Sequence, residues 1–208
     1  SFIPPLYAKS GNGSCTYEFK HSHCCNKCQD VKSQNQISLG QIQLMKIEVN
    51  SKIKTNWYVI TGGPSSGKTT TVNILKDRGY ITTIEHARHY LDTQRLKGRT
   101  VEEVRKNQIE FQTGVLEMQL EQEREISPDV QVFLDRAIPD ALAYYRFLDL
   151  PVDQKLLDAL ANVSYKKIFI LDYLPLVTDY ARTEDVKAQR QIHDLITEVY
   201  ESLPFLIV

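Results

Sequence analysis

The chain has 208 residues, of which 42% are hydrophobic and 25% charged, and these values exclude a wholly disordered or collagen-like protein. Its 25 basic residues nearly cancel its 26 acidic residues, so the net charge of −1 provides no field that would attract DNA or an anionic membrane. We therefore expect no nucleic-acid partner. No stretch reaches the ~18 consecutive apolar residues of a spanning helix, and no signal-peptide pattern is present, so we expect no transmembrane segment and a cytoplasmic location.

The chain divides near residue 55. Residues 1–55 carry seven lysines and three acidic residues, a net charge of +4, whereas residues 56–208 carry 18 basic and 23 acidic residues, a net charge of −5. Residues 9–42 are rich in polar residues and show no sustained apolar period. The sequence predicts an irregular or disordered N-terminal arm over 1–55 and a globular domain over 56–208. Met45 is a candidate natural start, in which case residues 1–44 would not be native.

All of the cysteines lie in this predicted arm, at Cys15, Cys24, Cys25 and Cys28. Cys25 and Cys28 have the spacing of a zinc ligand pair, and His21 or His23 could complete a tetrahedral set. However, no second cysteine pair follows downstream, and disulfides within a flexible arm would restrain little of the fold. Zinc binding, disulfide formation and no role at all remain open for this cluster.

From residue 57 onward, patterns typical of strands and helices alternate along the chain. Apolar, β-rich runs predict strands at 57–61, 80–84, 130–134 and 167–171. Helical spacing predicts helices at 68–76, from about 85, and at 100–125, 138–147, 153–162 and 184–202. This alternation indicates right-handed crossovers and a mostly parallel sheet with helices on both faces, a three-layer α/β/α fold.

A glycine-rich loop lies between the first predicted strand and the first predicted helix. Residues 62–69 satisfy the pattern G-x-x-x-x-G-K-[ST], in the strand-to-helix context that this motif requires. Its backbone N–H groups and the helix N-terminus are expected to surround phosphate groups. Lys68 would contact the β and γ phosphates, and the Thr69 hydroxyl would bind Mg²⁺. The predicted phosphate-binding residues are Gly62, Gly63, Pro64, Ser65, Ser66, Gly67, Lys68, Thr69 and Thr70.

Asp135 and Arg136 directly follow the predicted strand at 130–134. Mg²⁺ in this class of site usually needs a carboxylate from the end of a neighbouring strand, and Asp135 is the candidate. An N-cap role for the following helix fits Asp135 equally well. Arg136 is predicted to hold a substrate hydroxyl or a transferring phosphoryl group, and its alternative role is an ion pair with Asp140.

Glu85 follows the second predicted strand. Because the carboxyl ends of parallel strands face the ligand crevice, we expect Glu85 to act as a general base or a substrate anchor. The alternative is an acidic residue that merely favours a helix N-terminus. For His86 and His89, a role in the core or at the surface is favoured over metal ligation.

Arg182 lies in an irregular stretch between the last predicted strand and the last predicted helix. An arginine on a segment that closes over the site could neutralise charge on a transferring phosphoryl group. An ion pair with Glu184 or Asp185 at the helix entry explains the spacing equally well.

Four sequence blocks carry a resemblance to a known family, over residues 57–208. They are Ile60–Thr70 (ITGGPSSGKTT), Glu85–Arg88 (EHAR), Phe133–Tyr144 (FLDRAIPDALAY) and Asp179–Asp185 (DYARTED). In their order and spacing they resemble the NadR-like AAA family, P-loop proteins related to the nicotinamide riboside kinase domain. The resemblance implies a nucleoside-kinase-like fold that binds ATP or GTP with Mg²⁺. It also implies that Glu85, Asp135 and Arg136 surround a phosphoryl acceptor and that Arg182 is a lid arginine.

The resemblance predicts a kinase that transfers the γ-phosphoryl group to a small nucleoside-like acceptor. Relatives continue past the last core strand, so we expect this domain to be truncated at its C-terminus, and the preference for ATP or GTP stays open. Some relatives resemble nucleotide and lipid sensors, so the alternative is a non-catalytic nucleotide-dependent switch that contacts a protein or lipid through the helix predicted at 100–125. The oligomeric state is not predicted.

Overall fold

The computed structural model describes residues 48–175 and 185–208, all of which belong to the larger of the chain's two compact units, Asn35–Val208. Met45, residues 9–42 and the Cys/His cluster at 21–28 lie outside the described residues. So does Arg182. The interpretations of these positions therefore stay predictions.

In the described part of the chain, four strands form one parallel sheet. They are β1 (Trp57–Thr61), β2 (Ile81–Thr82), β3 (Val132–Asp135) and β4 (Lys167–Ile170), in the spatial order β2–β3–β1–β4. Ile207 adds a parallel bridge to Ile168 of β4. Because parallel strands all end at one edge of the sheet, the loops that follow β1, β2 and β3 come together there.

Helices follow each of these strands. They are α1 (Lys68–Asp77), α2 (His86–Leu96), α3 (Val101–Lys106), α4 (Gln108–Glu125), α5 (Ile138–Phe147), α6 (Gln154–Ala161) and α7 (Val186–Glu201). The alternation confirms the predicted α/β fold with a parallel sheet. The second strand is shorter than the predicted run at 80–84, since only Ile81 and Thr82 pair with β3.

The single long helix predicted at 100–125 is wrong. The structure has two helices, α3 and α4, which meet at Asn107. The Asn107 side chain accepts a hydrogen bond from the backbone N–H of Glu110 at 3.2 Å and so begins a new helix. Asparagine competes with the helical backbone in this way, and the apolar spacing across Asn107 did not reveal it.

The main core lies around the central strands, and a second cluster lies apart from it. The most buried apolar residues of the main core include Val59, Leu116, Leu134, Ile168, Ile192 and Ile196. Each such buried side chain contributes roughly 1.5–3 kcal/mol relative to its exposed state. The second cluster joins Leu91 of α2, Val104 of α3 and Phe111 of α4. The helices α2, α3 and α4 therefore have an apolar contact of their own.

Helices α2 and α4 approach each other closely at Gly114. A Cβ atom at this position would lie 2.2 Å from Cε2 of Tyr90, whose ring also packs edge-on against Phe111. We expect Gly114→Ala to displace the Tyr90 ring and to lower the free energy of unfolding by about 1–3 kcal/mol, as overpacking does. Urea unfolding of the two proteins measures this difference.

The matched control is the same substitution in a Tyr90→Ala background. With the ring removed, Gly114→Ala should stabilise the protein by up to about 1 kcal/mol, because alanine has the higher helix propensity. An equal loss of stability in both backgrounds would contradict the contact.

Candidate functional site

The loop between β1 and α1 has the backbone geometry that its glycines permit. Gly62 has φ +135° and Gly67 has φ +79°, a left-handed region that favours glycine. A Cβ atom on Gly62 would also lie 2.4 Å from the carbonyl oxygen of Leu171, so no side chain fits there. Residues 62–67 therefore form a tight loop between β1 and α1, as the motif predicted, and Gly62 lies against the residue that follows β4.

Lys68 is buried beneath this loop, with only 6% of its surface exposed. Its ammonium donates hydrogen bonds to the carbonyl oxygen of Gly63 at 2.7 Å and to Oγ of Ser66 at 3.0 Å. Burial, and next the charge of Arg136, lower the pKa of Lys68 to about 7, although Asp135 and Glu85 oppose the shift. Keeping the Lys68 ammonium charged in this buried position therefore costs free energy, and a bound anion would reduce that cost.

The pKa of Lys68 predicts how stability depends on pH. Its folded pKa of about 7 lies below the ordinary value of 10.5. Between these two pH values the unfolded chain binds more protons than the folded chain, so the free energy of unfolding rises with pH. We expect Lys68→Met to remove this rise, which amounts to about 2 kcal/mol between about pH 7 and about pH 9. Urea unfolding of the nucleotide-free proteins at both pH values measures it. Equal pH dependence in the two proteins would contradict the assignment.

Asp135 ends β3 and is 2% exposed. Its backbone N–H donates to the Thr83 hydroxyl at 2.9 Å, whereas its Oδ1 atom has no hydrogen-bond partner among the described residues. Burial, and next the charge of Glu85, raise the pKa of Asp135 to about 6. The alternative N-cap role is wrong, because α5 begins after Ala137 and the carboxylate that accepts from the Ala137 N–H is that of Asp140.

Glu85 occupies the N-cap position of α2, but its side chain does not cap the helix. Its Oε2 atom lies 3.5 Å from Nε of Arg88, and 17% of its side chain is exposed. Thus Glu85 stands at a helix N-terminus, as the alternative stated, but its carboxylate lies near Arg88 and makes no capping hydrogen bond. The neighbouring His86 is buried, and burial lowers its pKa to about 4, so its imidazole is neutral at physiological pH.

Arg136 makes the ion pair that was predicted as its alternative role. Its Nη1 atom lies 2.9 Å from Oδ1 of Asp140, and it also donates to the carbonyl oxygen of Gly62 at 3.3 Å. The guanidinium lies 5.4 Å from the centre of the Tyr144 ring. Arg136 has φ +69°, a conformation that costs a non-glycine residue roughly 1–2 kcal/mol. The ion pair places the guanidinium beside the glycine-rich loop.

Two cavities meet at this edge of the sheet. The small cavity, of about 220 Å³, is lined by residues 65–70, Glu85 and Arg88. The large cavity, of about 400 Å³, is lined mainly by α2, α4 and α5, and its walls include Glu85, Arg88 and Arg136. Glu85 and Arg88 therefore line both cavities, which adjoin at these two residues.

The large cavity contains residues that the sequence did not single out. Its apolar and aromatic lining includes Leu91, Phe111, Val115, Ala141 and Tyr144, and its polar lining includes Arg105, Gln112 and Gln119. Several of these follow the helical spacing that predicted the helix at 100–125. Helical spacing shows which face of a helix is apolar, but it cannot show whether that face packs against other side chains or lines a cavity.

Side chains of helix α7 form hydrogen bonds with the glycine-rich loop, and the sequence analysis did not single out these residues. Nε2 of Gln189 donates to the carbonyl oxygens of Pro64 and Leu174, both at 2.9 Å, and the backbone N–H of Gly63 donates to Nδ1 of His193 at 3.3 Å. The contacts with Pro64 and Gly63 join positions more than 120 residues apart along the chain. No local pattern could have predicted them.

The chain is similar to a known protein family and to several solved structures. A family model described as "AAA domain" matches residues 57–208, which is most of the chain. The chain belongs to the AAA domain family. The predicted resemblance to the NadR-like AAA family is thereby confirmed, with the α/β fold. No curated protein matches the chain.

Solved structures of kinases and of NadR are similar to the chain. A NadR protein in complex with NR is 20% identical, with a TM-score of 0.47, over 74% of this chain and 45% of that one. The deoxyadenosine kinase from M. mycoides is 15% identical, with a TM-score of 0.46, over 73% and 89% of the two chains. The thymidylate kinase from Ehrlichia chaffeensis is 16% identical, with a TM-score of 0.46, over 74% and 86%. The chain thus spans less than half of the NadR protein, and with TM-scores this low the family assignment rests on the family match.

Over 48–175 and 185–208, no cluster of three or more His, Cys, Asp or Glu side chains could hold a metal ion by itself. In the same ranges, no helix combines the length and the apolar character that a membrane span needs.

Proposed function

We propose that the domain binds ATP or GTP with Mg²⁺ at residues 62–70 and transfers the γ-phosphoryl group to a small nucleoside-like acceptor in the large cavity. The observation that carries this proposal is the meeting of the two cavities at Glu85 and Arg88. Phosphoryl transfer requires a donor phosphate and an acceptor hydroxyl in adjacent, fixed positions, because most of its catalysis is positioning and charge neutralisation.

The small cavity suits the phosphate chain. It is lined by the loop residues Ser65, Ser66 and Gly67, by the N-terminus of α1 and by buried Lys68. Backbone N–H groups at a helix N-terminus bind anions, and a phosphate oxygen would accept from the Lys68 ammonium in place of its present partners. The positive φ angles of Gly62 and Gly67 support this role, because glycine permits the tight turns with which such a loop approaches a phosphate group closely.

The residues present fit a magnesium ion. Oδ1 of Asp135 is a buried carboxylate oxygen without a hydrogen-bond partner among the described residues, and Thr69, which carries a hydroxyl, lines the small cavity. Mg²⁺ usually takes one or two protein oxygens together with phosphate oxygens and water, so a larger cluster of acidic residues is not needed. When bound, the ion would neutralise negative charge on the phosphates.

Glu85 would orient the acceptor hydroxyl and accept its proton. The hydroxyl oxygen forms a bond to the γ phosphorus, the bond from that phosphorus to the bridging oxygen breaks, and the nucleoside diphosphate leaves with the electron pair. Lys68 and Arg136 would stabilise the charge on the transferring group. Arg182 is proposed to join them as a lid arginine, on the strength of the sequence resemblance.

The large cavity suits a small molecule with a flat, partly apolar ring. Its volume of about 400 Å³ is in the range of small-ligand sites, and Phe111 and Tyr144 offer aromatic surfaces, while Gln112 offers an amide. Such a lining favours a nucleoside over a purely polar acceptor.

Product analysis tests the proposal. The full chain is incubated with ATP or GTP, Mg²⁺ and a panel of purine, pyrimidine and pyridine nucleosides, and phosphorylated products are sought by mass spectrometry, with EDTA as the control. We expect one nucleoside class to be phosphorylated only when Mg²⁺ is present. Tight nucleotide binding without any phosphorylated product would instead support the alternative, a nucleotide-dependent switch that contacts a protein or lipid.

A further inference from the structure

Asp140 is the centre of a buried hydrogen-bond network beside the site. It lies in the first turn of α5 and is 3% exposed. Its Oδ1 atom accepts from the Thr61 hydroxyl at 2.7 Å and from Nη1 of Arg136 at 2.9 Å. Its Oδ2 atom accepts from the Tyr200 hydroxyl at 2.6 Å and from the Ala137 N–H at 3.1 Å.

This network leaves little freedom to the carboxylate. Four donors occupy the roughly four lone-pair positions of an ionised carboxylate, so its orientation is fixed on every side. The donors come from the end of β1, from the turn after β3, from the N-terminus of α5 and from α7. A buried carboxylate with fully satisfied partners is a rigid support for a neighbouring cation.

Arg136 transmits this rigidity to the glycine-rich loop. The same Nη1 atom that meets Asp140 donates to the carbonyl oxygen of Gly62, the first residue of the loop, and the side chain lines the large cavity. Rotation of the guanidinium would break both contacts together. The direction in which Arg136 points is thus set by Asp140.

We propose that Asp140 is a positioning residue that fixes the Arg136 guanidinium between the glycine-rich loop and the large cavity. This inference rests on the proposed function for its effect on turnover. Arg136 can then form the ion pair with Asp140 and also act in function, because the ion pair holds its guanidinium in place. Thr61 and Tyr200 act through Asp140 and do not contact the reacting groups.

The test compares variants of the full chain in two independent measurements. In Asp140→Asn, the side-chain ¹⁵N–¹H signals of Arg136, assigned with Arg136→Lys, should lose the restricted rotation seen in the unchanged protein. The kcat for nucleoside phosphorylation should fall about 100-fold, as expected for a misplaced catalytic group, with the KM for nucleotide changed by less than about threefold. Asp158→Asn, which alters an exposed carboxylate on α6, should change neither measurement.

A double-mutant comparison separates positioning from a general structural role. In the Arg136→Lys background, Asp140→Asn should lower kcat by less than about threefold, because the group it positions is already absent. Additive losses in kcat, or unchanged Arg136 signals in Asp140→Asn, would overturn the proposal. If the unchanged protein phosphorylates no nucleoside, the proposed function fails, and the Arg136 signals alone decide whether Asp140 positions this side chain.

Tyr200→Phe covers the case in which Asp140→Asn does not fold. It keeps the charge of Asp140 and removes one hydrogen bond, so we expect faster rotation of the Arg136 guanidinium and a kcat lowered by about 3- to 10-fold, equivalent to one lost hydrogen bond. Unchanged rotation and unchanged kcat in this variant would overturn the proposal.

Discussion

Replacing Lys68 with alanine is expected to weaken binding of ATP and GTP by at least about 100-fold, because charge-assisted hydrogen bonds to phosphate contribute roughly 1.5–3 kcal/mol each. The Lys68 ammonium is already buried and held by Gly63 and Ser66, so little further ordering is needed when the phosphates arrive. Isothermal titration calorimetry with Mg²⁺ and each nucleotide measures the loss of affinity.

The control for this substitution is Lys76→Ala, at the exposed end of the same helix α1. It removes one positive charge without touching the loop, so nucleotide affinity should change by less than about threefold. If Lys68→Ala binds nucleotide as tightly as the unchanged protein, the assignment of residues 62–70 as the phosphate site is wrong.

Replacing Glu85 with glutamine is expected to lower kcat by about 100- to 10,000-fold, the range attributed to a general base, while nucleotide affinity stays within about threefold. Glutamine keeps the size and the hydrogen-bonding reach of Glu85 but cannot accept the acceptor's proton. Glu85 lines both cavities, so its charge stands where donor and acceptor meet. Steady-state kinetics with the nucleoside identified by product analysis, together with nucleotide titration, measure the two effects separately.

Glu121→Gln provides a matched control, since Glu121 is an exposed acidic residue of α4. This variant should keep both kcat and nucleotide affinity. A Glu85→Gln protein with unchanged kcat would show that the carboxylate takes no part in transfer. A parallel loss of nucleotide affinity would show that Glu85 acts on the nucleotide and not on the acceptor.

The sequence predicted those parts of the fold and site that depend on local patterns. The strand at 57–61, the glycine-rich loop and the helix from Lys68 follow one another within about 20 residues, and each has its own signature. The same is true of the helix at Ile138–Phe147, whose predicted bounds are those observed. Likewise, Asp135 and Glu85 could be placed at one edge of the sheet, because a parallel sheet brings the ends of its strands together there.

What the sequence could not predict depends on contacts between distant residues. The Tyr200 hydroxyl meets Asp140 across 60 positions, and the Thr61 hydroxyl meets it across 79. The sequence suggested Asp140 only as the ion-pair partner of Arg136, four residues away. The break at Asn107 was missed for a different reason, since the apolar spacing continues through it and the capping side chain is a local competitor that periodicity does not register.

The central claim is that the small cavity holds the phosphates of the nucleotide while the large cavity holds the acceptor. The measurement that tests it most directly is a crystal structure of the protein with Mg²⁺ and a non-hydrolysable ATP analogue. The account predicts a triphosphate enclosed by residues 62–70, a γ phosphate near Lys68 and Arg136, and a large cavity free of the nucleobase. A nucleobase seated in the large cavity against Phe111 and Tyr144 would contradict it.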